Sequence, residues 1–184
     1  NFPLVQKYYK YKAKQLGVKQ IAYHERNVPL GKIQKEIRYE DAIQLVEDTF
    51  GSLDKEFGDI VKKYKIDGTF DVYPKKGKSG GGFCINISRS LPTYILFNYL
   101  NQVDDVQTIA HECGHGVHSE LSKGQSPLNS GHPTSLAETA STFFEDFVLE
   151  KMLKDADSGT KFYILNQKIH DDTSSIFRQV ALYN

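Results

Sequence analysis

The stretch His111-Glu112-Cys113-Gly114-His115 constrains this chain more than any other part of its sequence. Two histidines four positions apart lie on the same side of a helix, because four residues advance about 400°, which is about 40° past a full turn. Both imidazoles can therefore reach one metal ion, and the neighbouring glutamate is close enough to take a proton from metal-bound water. The pattern predicts a helix that carries part of a zinc hydrolase site.

Length and charge define the class of protein. The 184 residues suit one domain or a piece of a larger one. Lysine plus arginine and aspartate plus glutamate both number 23, so the net charge is zero. A neutral chain offers no general attraction to nucleic acid or to an anionic membrane, and we expect neither as a partner. The sequence contains no apolar run of about 18 residues and no ordered signal peptide at its start, which predicts a cytoplasmic protein.

Two cysteines are too few for a disulfide scaffold, and a reduced pair is expected. Cys113 is two residues, or about 200°, away from His111 on the predicted helix. Its side chain therefore faces away from the metal, and we interpret Cys113 as core packing.

Helical spacing of apolar residues predicts three helices in the first third of the chain, at residues 2–16, 39–51 and 53–64. The first helix mixes lysine with tyrosine, which could suggest a nucleic-acid patch. Lysines on the solvated face of a helix are the more ordinary interpretation, since the whole chain is neutral. Residues 1–66 are therefore predicted to be scaffold helices.

Period-two alternation predicts strands at residues 69–73 and 83–88, and we expect the two to pair as a hairpin. The apolar run at residues 94–99 is too short to classify and could be a strand or the start of a helix. Residues 67–100 are therefore predicted to form a small sheet with a glycine-rich loop.

The connector at residues 75–82 contains Gly-Lys-Ser, which resembles a phosphate-binding loop. We reject that interpretation because position 72 is valine where the motif needs glycine, and a strand follows where it needs a helix. Gly80, Gly81 and Gly82 beside Phe83 fit close approach of another backbone, such as a bound peptide added to the sheet edge. A flexible hairpin loop remains an equal alternative.

Residues 101–155 are predicted to hold the zinc-site helices. The motif helix covers about 106–121, with Asp104 or Asp105 as its N-cap, and a second helix runs from Thr134 or Ser135 to about 153. In residues 156–184 a last helix starts near Lys161. The chain ends without a glycine or proline stop signal, and we expect it to be truncated at its C-terminus.

Residue spacing alone does not identify the third metal ligand. His118 lies seven residues after His111, which places it about 10.5 Å further along the helix axis and too far away to be a ligand. The following helix offers four carboxylates: Glu138, Glu145, Asp146 and Glu150. Glu138 sits nearest the returning loop, but it could instead close a capping box with Ser135.

Several segments together resemble the oligoendopeptidase F branch of the thimet oligopeptidase family, and the similarity extends over nearly the whole chain. The segments are Gly77–Phe83, Leu96–Tyr99, Asp104–Val106, His111–His118 and Leu136–Phe143. The resemblance implies one Zn²⁺ per chain, held by His111, His115 and Glu138, with Glu112 as the general base. The family has an aromatic residue at the position of Cys113. Because this side chain is predicted to face the core, the difference casts little doubt on catalysis.

The resemblance also implies a fold and a reaction. The fold is mainly α with a small β-sheet, a zincin-like core in which residues 1–184 are part of one metallopeptidase catalytic domain. The reaction is hydrolysis of short, unstructured peptides in a deep channel. Family members have further substrate-binding residues beyond the point that corresponds to residue 184, so we expect the isolated chain to be weakly active or inactive.

Other roles stay open. Glu145 lies seven residues after Glu138 on the same helical face and is predicted to orient a ligating histidine. The alternative is that Glu145 is an ordinary solvated charge on the helix. His118 is a further candidate for the orienting role. His132 and His170 are expected to serve packing or the surface. A non-catalytic zinc-stabilised domain, and a peptide-binding module that uses the edge at residues 80–87, are the competing hypotheses.

Overall fold

The computed structural model describes residues 2–31, 33 and 36–183, and most of these residues are helical. The elements in chain order are α1 (Phe2–Gln15), α2 (Tyr39–Leu53), α3 (Lys55–Asp67), β1 (Phe70–Asp71), β2 (Phe83–Ile85), β3 (Tyr94–Leu96), α4 (Val103–Ser122), α5 (Thr134–Asp155), α6 (Ser158–Asp172) and α7 (Gln179–Tyr183). A 3₁₀ turn at Tyr23–Glu25 follows α1, and a π-helical stretch at Thr173–Arg178 joins α6 to α7. The predicted mainly α fold with a small sheet is confirmed.

Contacts divide the chain into two compact units. The first consists of residues 1–34 and 155–184, and the second of residues 35–154. The second unit contains the sheet and the helices α2 to α5 up to residue 154, and therefore every residue predicted to bind metal or peptide.

The sheet has the strand order β1-β3-β2. Phe70 of β1 pairs in parallel with Ile95 of β3, and Cys84 of β2 pairs antiparallel with the same residue. The predicted hairpin between the first two strands is therefore wrong, and the ambiguous apolar run forms the central strand. The reason is burial, since Ile95 and Phe97 are both 1% exposed and a strand in the middle of a sheet is covered on both edges.

Helix α4 begins earlier than predicted and uses a different cap. Gln102 is the N-cap residue, and Asp105 lies in the first turn. The Oδ2 atom of Asp105 accepts hydrogen bonds from the backbone N–H groups of Gln102 (2.9 Å) and Leu100 (2.7 Å). The prediction of Asp104 or Asp105 as the N-cap is therefore wrong, although Asp105 does satisfy free donors at this end of the helix.

One side of α4 faces the core of the second unit. Val106, Ile109, Cys113 and Val117 are all nearly inaccessible to solvent, and their spacing of three or four residues follows the helical period. The interpretation of Cys113 as core packing is confirmed. Because these residues face the core, the opposite side of α4, which carries His111 and His115, faces away from it.

Helices α2, α3 and α5 complete this core. Phe144 of α5 stacks on Phe50 of α2 with ring centroids 4.1 Å apart, and Phe57 of α3 meets the Phe144 ring edge-on at 5.2 Å. Asp54 caps α3 by accepting a hydrogen bond from Glu56 N–H at 2.8 Å. The aromatic cluster fixes α5 in the second unit, and α5 carries the carboxylates of the candidate site.

In the first unit the Lys12 side chain of α1 is 1% exposed and donates a hydrogen bond of 2.5 Å to the carbonyl oxygen of Arg26. Burial lowers the pKa of Lys12. His170 of α6 lies beside Tyr8, with ring centroids 6.5 Å apart. Helix α6 starts three residues before the predicted Lys161, because the side chain of Asp157 caps it.

None of the described helices combines the length and the apolar content that crossing a membrane requires.

Candidate metal centre

His111 and His115 lie on the same side of α4, as their spacing predicts. Their ring centroids are 4.8 Å apart and the rings are nearly perpendicular, at 87°. Both side chains are partly buried, with 28% and 18% of their surface exposed. Two imidazoles therefore face one small space at the surface of the second unit.

Glu138 of α5 reaches into the same space. Its Oε2 atom lies 3.3 Å from His111 Nε2 and 3.6 Å from His115 Nε2. Ligand atoms at zinc distances of 2.0–2.1 Å in a tetrahedron are about 3.3–3.4 Å apart, so the two separations from Glu138 are close to those of a tetrahedral site. The donor set of two imidazole nitrogens and one carboxylate oxygen, all within 4.8 Å of one another, fits Zn²⁺.

The alternative role of Glu138 in a capping box does not match the start of α5. The helix begins at Thr134, and the carbonyl oxygen of Pro133 accepts the hydrogen bonds of Leu136 N–H (3.0 Å) and Ala137 N–H (3.2 Å). With this start, Ser135 lies inside the first turn and is not the N-cap residue. The Glu138 carboxylate instead accepts a hydrogen bond from Ser141 Oγ, at 2.9 Å.

Glu145 lies behind His111. A hydrogen bond of 3.1 Å joins His111 Nδ1 to Glu145 Oε2. An ionised carboxylate can only accept, so the proton of the neutral imidazole sits on Nδ1, and Nε2 keeps its lone pair for the metal side. This hydrogen bond also raises the pKa of His111. The geometry is the one expected of a carboxylate that orients a ligating histidine.

Glu112 follows His111 and is 6% exposed. Its Oε2 atom is buried and has no hydrogen-bond partner among the described residues. Burial raises the pKa of Glu112 to about 7, an effect that the nearby His111 opposes and Glu138 strengthens. A carboxyl group with a pKa near neutrality can both accept and return a proton.

Gly82 lies directly against the side chain of Glu112. A Cβ atom on Gly82 would lie 2.8 Å from Glu112 Oε1, closer than any ordinary contact. The absence of a side chain at position 82 therefore gives the carboxylate its space. The sequence predicted substrate binding for Gly80, Gly81, Gly82 and Phe83, and of these the structure places Gly82 next to the candidate base.

The glycine-rich connector is anchored to the sheet. The side chain of Lys78 is 1% exposed, and its Nζ donates to the carbonyl oxygens of Asp71 (2.9 Å), Tyr73 (3.0 Å) and Phe97 (2.7 Å). Asn98 Nδ2 donates to the carbonyl oxygens of residues 79 and 81, both at 2.9 Å. These bonds oppose the alternative of a flexible loop and keep Gly82 beside the site.

His118 does not join the cluster of ligand atoms. Its ring contacts that of His132, with centroids 4.2 Å apart and the ring planes tilted by 35°. Burial lowers the pKa of His118, and the charge of His132 lowers it further. The two histidines fasten the loop after α4 to the last turns of that helix, which gives His132 a packing role.

Sequence reasoning missed Ser141 and Lys78 as parts of the site. Ser141 stands three residues after Glu138, a spacing that puts both on one helical face, and this signal was available. The local sequence does not predict the hydrogen bonds of Lys78 to the sheet, because a lysine in a glycine-rich loop is expected to be solvent-exposed.

The sequence model of peptidase family M3 matches residues 4–182. The chain is similar to an oligoendopeptidase F homolog of Lactococcus lactis subsp. lactis (strain IL1403), with 29% identity over 181 residues, 97% of this chain and 30% of the relative. Oligopeptidase PepF of Bacillus subtilis (strain 168) is 30% identical over 182 residues, 97% of this chain and 27% of the relative. The chain thus spans about 30% of the length of these relatives.

Solved structures agree with the sequence relatives. A crystal structure described as a peptidase from Chlamydophila abortus superposes with a TM-score of 0.80 at 31% identity, covering 97% of this chain and 30% of that one. An oligoendopeptidase F structure from Bacillus anthracis str. Ames, 22% identical, shares the fold with a TM-score of 0.68 over 82% of this chain and 28% of that chain. The resemblance found in the sequence is confirmed, and the chain belongs to peptidase family M3.

Proposed function

We propose that this chain carries the zinc site of an endopeptidase that hydrolyses short, unstructured peptides, with one Zn²⁺ per chain. His111, His115 and Glu138 are the ligands. The observation that carries the proposal is the convergence of two imidazole nitrogens, of His111 and His115, on Glu138 Oε2, at 3.3 and 3.6 Å, beside the buried carboxylate of Glu112. The family relationship and the peptidase names of the relatives support the same reaction.

Each residue has a distinct part in the reaction. Zinc in this site supplies a Lewis acid that acidifies water and polarises the peptide carbonyl. Glu112 accepts the proton of the attacking water and returns it to the leaving amine. Its buried position excludes bulk water from the carboxylate, and Gly82 leaves room for that carboxylate to face the substrate.

The peptide lies along β2 in this proposal. Within the described part of the chain β2 pairs with β3 on one side only, so its other edge offers backbone groups to an extended peptide. Gly80, Gly81 and Gly82 allow a close approach of the peptide backbone, and Phe83 begins the free edge. The anchoring of the connector by Lys78 and Asn98 supports this use, because a fixed loop costs less conformational entropy on binding.

The proposal is tested by zinc stoichiometry and long-incubation peptide hydrolysis for the wild-type chain and Glu112→Gln. We expect one zinc per chain in both, and slow cleavage by the wild type that falls about 10²–10⁴-fold in the variant, the usual contribution of a general base. Slow cleavage is expected because the chain spans only about 30% of its relatives. A folded wild-type chain that binds no zinc would contradict the proposal.

The same assay separates the non-catalytic alternative. A chain that binds zinc and peptide but yields no product after long incubation would favour a zinc-stabilised peptide-binding domain. The cytoplasmic location and the lack of a nucleic-acid partner stay predictions from the sequence.

A further inference from the structure

A basic groove lies next to the candidate metal centre in the second unit. One wall is the segment from Cys84 to Ser90, and the other is the end of α4 with the loop as far as His132. The groove encloses about 1030 Å³. This volume is at the upper end of the usual range for ligand pockets, so the groove can take several residues of a peptide.

The groove continues the proposed active site in two ways. Cys84 lies two residues beyond Gly82, which contacts the Glu112 carboxylate. Ser119 lies one helical turn beyond His115, so it extends the same side of α4. A peptide paired with the free edge of β2 therefore runs from Glu112 into the groove.

The charges that line the groove have one sign. Arg89 and Lys123 are the charged residues in its walls, and none of the described residues that line the groove is an aspartate or a glutamate. Lys123 is already paired, because its Nζ lies 2.7 Å from Glu120 Oε1 and donates to the carbonyl oxygen of Leu91 at 3.1 Å. The exposed Arg89 guanidinium has no hydrogen bond or ion pair with a described residue, which leaves its charge and its fork of donors for a ligand.

The remaining walls are polar and neutral. Serine side chains at positions 88, 90, 119, 122 and 130 line the groove. Ser122 and Ser130 already donate to the carbonyl oxygens of His118 and Pro127, and the hydroxyls of Ser88 and Ser90 bond each other at 3.1 Å. An acidic group therefore finds the Arg89 guanidinium among neutral polar walls, whereas a basic group finds no aspartate or glutamate among the described residues that line the groove.

We propose that this groove binds a carboxylate of the peptide substrate and that Arg89 is its main contact; the inference rests on the proposed peptidase function. The carboxylate is either the C-terminus of the peptide or an acidic side chain. Seven residues separate Gly82 from Arg89 and span at most about 25 Å, so the carboxylate lies within about seven residues of the bond to be cleaved. Arginine favours this ligand because its planar fork can hold both carboxylate oxygens.

The test compares peptides that differ in one carboxylate. Fluorescence anisotropy measures their binding to the full zinc-loaded chain with Glu112→Gln, which prevents turnover. The reference peptide has no acidic side chain and an amidated C-terminus; one arm restores the free C-terminus, and a second places a single glutamate at each position in turn. We expect at least one carboxylate peptide to bind about five- to tenfold more tightly than the reference, and less so at high salt.

Variants of Arg89 assign the effect to the groove. In Arg89→Gln we expect the preference for the carboxylate to disappear, and in Arg89→Lys to persist in part, because lysine keeps the charge but not the fork. Lys62→Gln removes an exposed cation of α3 outside the groove and should leave the preference unchanged. The arm that shows the preference identifies the C-terminus or the side chain as its source.

The outcomes separate this inference from the proposed function. The inference is wrong if all peptides bind with equal affinity, or if none binds detectably. It is also wrong if the carboxylate preference survives in Arg89→Gln. If wild type binds zinc and cleaves peptide without any carboxylate preference, the proposed function stands and the inference fails. If the preference is present but zinc and cleavage are absent, the inference stands and the proposed function fails.

Discussion

At the scale of single residues, the hydrogen bond between His111 and Glu145 determines which imidazole nitrogen of His111 faces the proposed zinc site. The carboxylate accepts from Nδ1 at 3.1 Å, so Nε2 is directed at the space shared with Glu138. Without this acceptor the ring could rotate or change its tautomer, and each neutral ring would present the required lone pair only part of the time. The hydrogen bond supports the predicted orienting role of Glu145 over the alternative of a solvated helix charge.

The first prediction concerns Glu145→Ala. We expect zinc affinity to fall about 10–100-fold, the usual effect of removing the partner of a ligating histidine. Glu145→Gln keeps an acceptor oxygen and should recover part of the loss. Competition with a chromophoric chelator measures the affinity, and Glu150→Ala, an exposed carboxylate on the same helix, is the control. Equal affinities in Glu145→Ala and wild type would show that the hydrogen bond does not support the site.

The placement of single residues could be predicted from the sequence where spacing on one helix decides it. The helical period alone puts His111 and His115 on one side of α4 and Cys113 on its buried side. Glu138 could not be decided in this way, because its two interpretations differ by where α5 begins. A start at Thr134 removes Ser135 from the capping position and frees the carboxylate, and such a shift is finer than sequence patterns resolve.

At the scale of elements, the close approach of α4 and α5 sets the distance between the histidines and Glu138. A Cβ atom on Gly114 would lie 2.9 Å from Ser141 Cα and 3.2 Å from the carbonyl oxygen of Ala140. These are backbone contacts, so no side chain can move aside to relieve them. Gly114 stands between the two ligand histidines, and the two helices must separate if it gains a side chain.

The second prediction therefore concerns Gly114→Ala. Alanine favours a helix by up to about 1 kcal/mol over glycine, but overpacking against a backbone costs about 1–3 kcal/mol, so we expect net destabilisation. Zinc affinity should fall as well, because Glu138 moves away from His111 and His115. Denaturant unfolding and zinc titration of the folded variant measure both effects.

Gly124→Ala is the matched control for that experiment. Its Cβ atom would lie 3.8 Å from the nearest atom outside its neighbours, an ordinary contact. It should change neither stability nor zinc affinity measurably. A Gly114→Ala protein as stable as wild type and with unchanged affinity would show that the helix contact does not set the ligand distances.

Elements differ in how well the sequence predicted them. The long helices follow from their apolar period, and α4 was expected within three residues of its observed ends. Strand pairing was predicted wrongly because alternation identifies a strand but not its partner. β1 and β2 each contain only two or three residues, and both pair with β3 because its buried run has two edges to cover.

At the scale of the whole molecule, the metal centre and the basic groove both belong to the unit formed by residues 35–154. The three proposed ligands come from α4 and α5, consecutive helices joined by the loop at residues 123–133, so a bound zinc would connect the two. Bound zinc would stabilise whatever conformation holds these residues together, and none of the three proposed ligands belongs to the other unit. Metal binding should therefore act on part of the molecule.

The third prediction states where zinc protects the backbone. At a free zinc concentration 100 times the dissociation constant, binding contributes about 2.7 kcal/mol, or about 100-fold slower exchange of amides that need the site to open. We expect this slowing in α4 and α5, and unchanged exchange in α1 and α6, in hydrogen exchange measured by mass spectrometry. His115→Ala at the same zinc concentration should lose the protection. Equal slowing in α1, α6 and the site helices would show instead that the chain opens as one cooperative body, because only then would the ligands of one unit control the other.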